Sequence, residues 1–205
     1  MTESRREFFD RIATQWDGFV DLAEMGETLR AGLLEVDIAP NSTVVDLGCG
    51  TGNLSLALLE RLGPEGCVLG VDFSPHMLRE AQRKVKDGRV TWIVADAADL
   101  PLESSTADCV ICFSAWPHFF DPARVLSEVL RVLRPGGELH IWHAAPRATI
   151  NQIHAEAGEA VAHDILPSGH SLAALVTSSG LQPFEVVDDE QRYLVRARAP
   201  QPKNG

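Results

Sequence analysis

The chain has 205 residues, a formal net charge of -11 and a hydrophobic share of 45%. This length suits one domain with a proper core, and an acidic chain has little electrostatic affinity for nucleic acid or an anionic membrane. Neither is expected as a partner. No stretch is long and apolar enough to span a bilayer, and the N-terminus lacks the apolar core of a signal peptide. The expected location is therefore cytoplasmic, with the oligomeric state left open.

The elements that the pattern predicts begin with two amphipathic helices, residues 4–17 and 20–35. From residue 43 strands alternate with helices, which indicates right-handed crossovers and a parallel sheet. The strands are predicted at 43–46, 67–72, 90–95, 109–114 and 138–143, and the helices between them at 54–62, 75–85 and 122–132. Helices at 148–163 and 171–179 and a strand pair at 184–187 and 193–198 follow, and the tail from Pro200 is predicted to be disordered.

A glycine-rich loop follows the first of these strands. Gly48, Gly50 and Gly52 stand at alternate positions after Asp46 and directly before an apolar helical pattern. Glycines let the backbone approach a ligand closely, and free N–H groups at the start of a helix favour the polar or anionic end of a small molecule. The loop therefore predicts a site for a nucleotide-like cofactor.

Three predicted strands each end on an aspartate: Asp46, Asp72 and Asp96. Ligands in open α/β sheets bind beyond the carboxyl ends of the strands, and an acidic residue about twenty positions after the glycine loop meets ribose hydroxyls. Three such carboxylates fit a ligand with an amine, a ribose and an adenine amino group. The alternative is that each aspartate only caps the turn or helix that follows it.

These residues resemble class I S-adenosylmethionine-dependent methyltransferases of the methyltransferase-domain-11 type. The resemblance is carried by residues 44–52, 71–78, 95–102 and 131–137, and residues 8–17 resemble the entry helix of quinone-type C-methyltransferases.

The resemblance implies a doubly wound, Rossmann-like, mostly parallel α/β sheet of seven strands. It would have a C-terminal antiparallel strand, helices on both faces and an N-terminal helical lid. A single domain would cover residues 1–200, with N-terminal helices (1–40), a cofactor-binding core (43–143) and acceptor-side elements (144–200), followed by a tail at 201–205.

The resemblance also implies an enzyme that transfers a methyl group from S-adenosyl-L-methionine to a small-molecule acceptor and leaves S-adenosyl-L-homocysteine. The cofactor-binding residues would then be Asp46, Gly48, Cys49, Gly50, Gly52, Asp72, Phe73, Met77, Asp96, Ala97 and Phe113.

Two other functions stay open. A nicotinamide-dependent oxidoreductase would carry Gly-x-Gly-x-x-Gly, whereas the glycines here run Gly48-x-Gly50-x-Gly52. Asp46 would repel a pyrophosphate and attract the ammonium group of a methionine moiety, which favours S-adenosylmethionine. A methyltransferase-like module that binds without catalysis is the second alternative.

Candidate catalytic residues are His118, His143 and Trp116, since two of them follow the fourth strand and His143 ends the fifth. A histidine can accept a proton near neutral pH. Phe8, Trp16, His154 and His163 are the candidate acceptor-binding residues. All of these are expected to line one cavity, and the alternative is ordinary packing.

No metal is expected. His154 and His163 lie on opposite sides of one straight helix, so they converge on a metal or metalloid only if the helix breaks at Gly158. Glu156, Glu159 and Asp164 are the other ligands within reach in the sequence. Cys109 and Cys112 are three apart on a predicted strand and point to opposite faces, which indicates core thiols.

Overall fold

Strands and helices alternate as the sequence predicts in the computed structural model, which describes residues 3–202. Within these residues the strands are β1 Thr43–Leu47, β2 Cys67–Asp72, β3 Val90–Val94, β4 Ala107–Phe113, β5 Leu133–His143, β6 Gln182–Asp188 and β7 Tyr193–Arg198. The α-helices are α1 Arg5–Ile12, α2 Leu22–Leu33, α3 Asn53–Leu59, α4 Pro75–Lys84, α5 Pro122–Val132, α6 Arg147–Ala157 and α7 Gly169–Ser178. Two 3₁₀ helices cover Ala13–Phe19 and Trp116–His118.

The strands form one seven-stranded sheet in the order β3-β2-β1-β4-β5-β7-β6. Strands β1 to β5 pair in parallel, and β7 runs antiparallel to both β5 and β6. The predicted mostly parallel sheet with an antiparallel C-terminal strand is confirmed. The strand order reverses between β1 and β4, and such a switch point opens a crevice at the carboxyl ends of the strands.

Helices cover both faces of the sheet. In β1, Val44 packs in a cluster with α2 and α3, while its neighbour Val45 packs in another with α5 and α7. Successive residues of a strand point to opposite faces, so one apolar strand serves two cores. Cys109 and Cys112 are buried in different clusters, as their spacing on a strand requires.

The N-terminal segment crosses the carboxyl edge of the sheet. Ser4 begins α1 with a capping box that includes Glu7, a pairing that satisfies free backbone donors at a helix start. The prediction of one helix over 4–17 is wrong beyond Ile12, where a tighter 3₁₀ helix follows. The carboxylate of Asp17 accepts hydrogen bonds from the loop after β1 and from Lys84, and these tertiary contacts outweigh the helical pattern.

The predicted helix 148–163 is likewise too long. Helix α6 ends at Ala157, because Gly158 adopts a φ of +123° that L side chains rarely take. The chain then turns through residues 159–164. Residues 200–202 have no regular structure, and the rest of the predicted tail, residues 203–205, lies outside the described residues. No helix within residues 3–202 is long and apolar enough to cross a membrane.

Candidate functional site

A cavity of about 550 Å³ lies at the carboxyl ends of β1 to β4. The N-terminal segment covers it from above, and the turn after α6 closes one side. Ten of the predicted cofactor, catalytic and acceptor residues lie on its wall: Trp16, Gly48, Gly50, Asp72, Phe73, Met77, Asp96, Ala97, His118 and His163. The cavity therefore brings predicted cofactor residues and predicted acceptor residues to one space.

The glycine loop forms the floor of the cavity. Gly48 and Gly50 have φ values of +75° and +51°. A Cβ on Gly48 would lie 2.5 Å from the Cβ of Ala115, so only glycine fits there. A Cβ on Gly50 would enter the gap beneath Trp16, whose Nε1 would be 3.9 Å away. The loop thus leaves a cradle that any side chain would fill.

Asp72 holds this loop while it faces the cavity. Its Oδ2 accepts a hydrogen bond from the Gly50 N–H at 2.9 Å, and its Oδ1 accepts one from Ser74 at 2.8 Å. Burial raises the pKa of Asp72 to about 6 despite these bonds. A carboxylate has further lone pairs, so capping the turn and binding a hydroxyl are compatible roles. Asp96 likewise lines the cavity while its Oδ1 accepts a hydrogen bond from the Ala98 N–H at 2.8 Å.

Asp46 does not lie on the cavity wall, contrary to its predicted place beside an ammonium group. It is almost fully buried, and the Ser55 hydroxyl donates to it at 2.6 Å. Burial raises its pKa to about 7. Ser55 lies in the first turn of α3 and faces the end of β1, so its hydroxyl group hydrogen-bonds the Asp46 carboxyl group in the interior.

Three other predicted cofactor residues are also absent from the wall. Cys49 is buried beneath the loop, and burial raises the pKa of its thiol. Gly52 is the N-cap of α3 and fits against the Trp92 ring. Phe113 packs on Trp142 with ring centroids 4.8 Å apart. Each of these three residues therefore packs against the protein interior rather than on the cavity wall.

Aromatic side chains form the opposite wall of the cavity. They come from α1, from the 3₁₀ helix after it and from the loop after β4: Phe9, Trp16, Phe119 and Phe120. Phe9 packs edge-on against Trp16 with ring centroids 5.8 Å apart. Phe120 is 91% exposed at the rim. The wall is suited to a ligand with apolar area.

Three predicted acceptor or catalytic residues lie behind this wall. Phe8 packs in the apolar cluster under α1, one position from Phe9, and Trp116 is core packing against Phe119. His154 is turned toward the backbone of the turn after α6, where its Nδ1 lies 2.6 Å from the Asp164 carbonyl oxygen. The expectation that all the candidates line one cavity is therefore wrong for these residues and for His143.

His143 is fully buried beside Tyr193, with ring centroids 5.8 Å apart. Neither ring nitrogen has a hydrogen-bond partner among the described residues. Burial lowers the pKa of His143 to about 3, with the nearby His118 and His154 adding to the shift. The imidazole is thus neutral and cut off from the cavity.

His118 is the histidine that combines a place on the wall with a charged partner. Its Nδ1 lies 2.8 Å from the Asp164 carboxylate, and Arg5 of α1 pairs with the same carboxylate. Asp164 was considered only as a possible metal ligand, and neither its pairing with His118 nor the role of Arg5 was predicted. The sequence feature that marks Asp164 is an isolated acidic residue between the apolar residues Val161 and Leu166. This feature points to the cavity only when it is known that α6 ends before Gly158.

No group of three or more potential metal ligands converges within residues 3–202. His163 faces the cavity and His154 faces the backbone, so the break at Gly158 does not bring them to one ion.

Comparison with known proteins agrees with this geometry. Residues 44–137 match the model of a methyltransferase domain family. The 2-phytyl-1,4-naphtoquinone methyltransferase of Trichormus variabilis is 32% identical over 148 residues, which is 69% of this chain and 65% of that protein. The chain belongs to the class I S-adenosylmethionine-dependent methyltransferases.

Further similarities place this methyltransferase among others of its fold. The demethylmenaquinone methyltransferase of Lactiplantibacillus plantarum is 35% identical over 138 residues, or 64% of this chain and 58% of that protein. The chain thus spans less than two thirds of the length of these relatives. A putative methyltransferase of Haloferax volcanii, solved with the activator Trm112, superposes with a TM-score of 0.81 at 21% identity over 98% of this chain and 100% of that one.

Proposed function

We propose that this methyltransferase transfers the methyl group of S-adenosyl-L-methionine to a small, partly apolar acceptor that binds in the cavity. The observation that carries the proposal is that one enclosed space joins the glycine loop and Asp72 to an aromatic wall with His118. The cofactor, when bound, supplies a methyl group on a positively charged sulfur. The chain's own task is to orient the two reactants and to exclude water.

The residues on the floor fit the cofactor. The cradle at Gly48 and Gly50 admits a ligand close to the backbone, and Asp72 offers carboxylate oxygens suited to ribose hydroxyls. Asp96 and Ala97 follow the next strand and would meet the adenine. A volume of about 550 Å³ lies within the usual range of small-molecule sites, roughly 300–1,000 Å³.

The aromatic wall supports an acceptor with a planar apolar part. Phe9, Trp16 and Phe119 can pack on such a ring. Two relatives are named for naphthoquinone and demethylmenaquinone methylation, so we propose a reduced 1,4-naphthoquinone as the acceptor class. His118 would take the proton that such an acceptor loses.

We also propose that residues 1–200 act as a single methyltransferase domain. One sheet runs through the described chain, and the cavity is built from its N-terminal helix, its central strands and the turn after α6. No part of this site is complete without the others.

The experiment is transfer of a deuterated methyl group from labelled S-adenosylmethionine to 2-phytyl-1,4-naphthoquinone reduced with dithionite, read by mass spectrometry. We expect a mono-methylated product. Phe9→Ala should lower the rate about tenfold or more, because truncating a buried aromatic contact costs on the order of 1–3 kcal/mol. Phe184→Ala, which removes an aromatic side chain far from the cavity, is the control.

Two results would contradict the proposal at different points. Binding of S-adenosylhomocysteine without transfer to the quinol would overturn the acceptor class. Failure to bind S-adenosylmethionine or S-adenosylhomocysteine at all would overturn the methyl-transfer function.

A further inference from the structure

Three side chains from three separate parts of the chain meet at the acceptor side of the cavity. Arg5 comes from α1, His118 from the 3₁₀ helix after β4, and Asp164 from the turn after α6. We propose that Asp164, held by Arg5, is a positioning residue that fixes His118 in the tautomer that accepts a proton from the methyl acceptor. The inference rests on the proposed function and names the residues that set up its proton transfer.

The contacts define which ring nitrogen is free. The Asp164 carboxylate lies 2.8 Å from His118 Nδ1, and Arg5 Nε donates to its two oxygens at 2.7 and 2.9 Å. An ionised carboxylate only accepts hydrogen bonds, so His118 must carry a hydrogen on Nδ1. The neutral ring then has its lone pair on Nε2.

The free nitrogen is open to the cavity. His118 lines the cavity wall, and Nε2 has no hydrogen-bond partner among the described residues. It is also absent from the buried unpartnered atoms of this part of the chain, unlike both nitrogens of His143. An acceptor bound in the cavity can therefore reach Nε2.

The carboxylate stays ionised in this setting. Burial favours the neutral acid, but hydrogen bonds from His118 and Arg5 outweigh it and hold the pKa of Asp164 below its usual value. The Arg5 charge offsets the Asp164 charge, so the buried pair is close to neutral.

The packing fixes the ring plane as well. Phe9 meets the His118 ring edge-on at 4.9 Å between centroids, and the His154 ring lies 4.7 Å away on another side. Asp164 is in direct contact with His118, and Arg5 pairs with the far side of that carboxylate. The other titratable groups around His118 are His154 beside it, His143 in the core, and Glu159 and His163 on the cavity wall.

The proton balance is simple. The acceptor atom X would form a bond to the methyl carbon while the bond from that carbon to sulfur breaks, with its electron pair staying on the sulfur of the departing S-adenosylhomocysteine. The X–H hydrogen would leave as a proton to His118 Nε2. The Nδ1 hydrogen stays on the ring, directed at Asp164, so the product state is an imidazolium beside a carboxylate. The imidazolium returns its proton to water when the product leaves. Asp164 orients and stabilises the ring but takes no proton.

The first measurement needs no acceptor. Nitrogen-15 NMR of histidine-labelled protein with bound S-adenosylhomocysteine reports which nitrogen of a neutral ring carries hydrogen. We expect the Nδ1–H form for His118 and its loss in Asp164→Asn, whose amide can donate to Nδ1 instead. Asp188→Asn is the control, because Asp188 also pairs with an arginine, at 3.0 and 3.1 Å from Arg147 Nε, away from the cavity. A wild-type His118 in the Nε2–H form, or an unchanged tautomer in Asp164→Asn, would overturn the inference.

The second measurement uses the reduced naphthoquinone probe and Arg5→Gln, which keeps both Asp164 and His118. Without Arg5 the carboxylate is uncompensated and favours the imidazolium, so the midpoint of the pH–rate profile should move to higher pH. Asp164→Asn should lower kcat roughly 10²-fold or more, which is the usual contribution of a positioned acid or base to the rate. The affinity for S-adenosylhomocysteine should stay unchanged within about threefold. Arg11→Gln, on the same helix and paired with Glu3, is the control.

An Arg5→Gln profile that overlays the wild type would contradict the role of Arg5. Wild-type kcat in Asp164→Asn would contradict the role of Asp164. Failure of the proposed function gives a different result, since the wild type would then not bind S-adenosylhomocysteine or not transfer methyl to any probe.

Discussion

At the scale of single residues, burial decides what a strand-end aspartate can do. Asp46 and Asp72 end adjacent parallel strands, yet only Asp72 reaches the cavity. Asp46 is enclosed with one hydroxyl donor, and burial raises its pKa to about 7. An unfolded aspartate titrates near pH 4, so between about pH 4 and 7 the folded state holds a proton that the unfolded state has released.

This proton predicts the pH dependence of stability. The contribution of Asp46 to the free energy of unfolding should fall as pH rises from about 5 to 7, because the folded state must either keep Asp46 protonated or bury its charge. Asp46→Asn retains the acceptor for Ser55 but cannot titrate. Urea unfolding of the ligand-free protein should show that the wild type loses roughly 1–3 kcal/mol more than the variant over this range.

Groups with lowered pKa values do not disturb this comparison. The lowered pKa of buried His143 makes the protein more stable as pH rises through the lower part of this range, but His143 is present in both proteins. The stabilisation by Glu138 is lost only near its pKa of about 2. Parallel pH curves for the wild type and Asp46→Asn would contradict the account of Asp46.

Whether a residue at a strand end faces the cavity or the interior also explains which site residues could be identified from the sequence. Gly48, Gly50, Asp72 and Asp96 follow regular strands, whose ends converge by the rules of parallel sheets. Their place at the cavity could be predicted. His143 also ends a strand, but its side chain points into the core beside Tyr193, and the parity of a strand end is set by a register that one sequence does not reveal.

At the scale of elements, the regular strands and helices were predictable and the irregular segments were not. Runs of β-branched residues and the glycine loop mark β1 to α3, and an arginine-proline-two-glycine stop marks the end of α5. The 3₁₀ helix Ala13–Phe19 and the turn after Gly158 depend instead on contacts with distant parts of the chain. The turn after Gly158 carries Asp164, so the pairing of Asp164 with His118 and Arg5 could not be predicted, although Asp164 itself stood among the possible metal ligands.

Asp17 connects the 3₁₀ helix Ala13–Phe19 to the glycine loop through hydrogen bonds. Its carboxylate accepts hydrogen bonds from Thr51 at 2.6 Å, Asn53 at 3.2 Å and Lys84 at 2.7 Å. Burial opposes ionisation, but these donors outweigh it and lower the pKa of Asp17. Since Trp16 precedes Asp17 and covers the cradle, this cluster holds the cover over the cofactor site.

Asp17→Asn should therefore speed the release of S-adenosylhomocysteine about tenfold, equivalent to about 1.4 kcal/mol. The free energy of unfolding should change by less than about 1 kcal/mol, as for other partly exposed ion pairs. Stopped-flow dissociation is the measurement. Asp21→Asn, which keeps a good N-cap for α2, is the control, and equal release rates in the two variants would sink the proposed role of Asp17.

At the scale of the whole molecule, the doubly wound sheet provides a rigid edge and the irregular segments enclose it. The sheet sets the positions of the loop and of Asp72, and the N-terminal segment, the loop after β4 and the turn after α6 provide the aromatic and basic groups. Groups from both parts of the molecule line the cavity. We therefore expect this cavity to bind the methyl donor with Asp72 on the ribose.

Isothermal titration of S-adenosylhomocysteine into the wild type and Asp72→Asn tests this claim most directly, with NAD as the competing ligand. We predict one site with a micromolar Kd, roughly -7 to -8 kcal/mol, no comparable binding of NAD, and a loss of about 1–3 kcal/mol in Asp72→Asn because a hydrogen-bonded charged group is removed. No binding of S-adenosylhomocysteine, tighter binding of NAD, or unchanged affinity in a folded Asp72→Asn protein would contradict it.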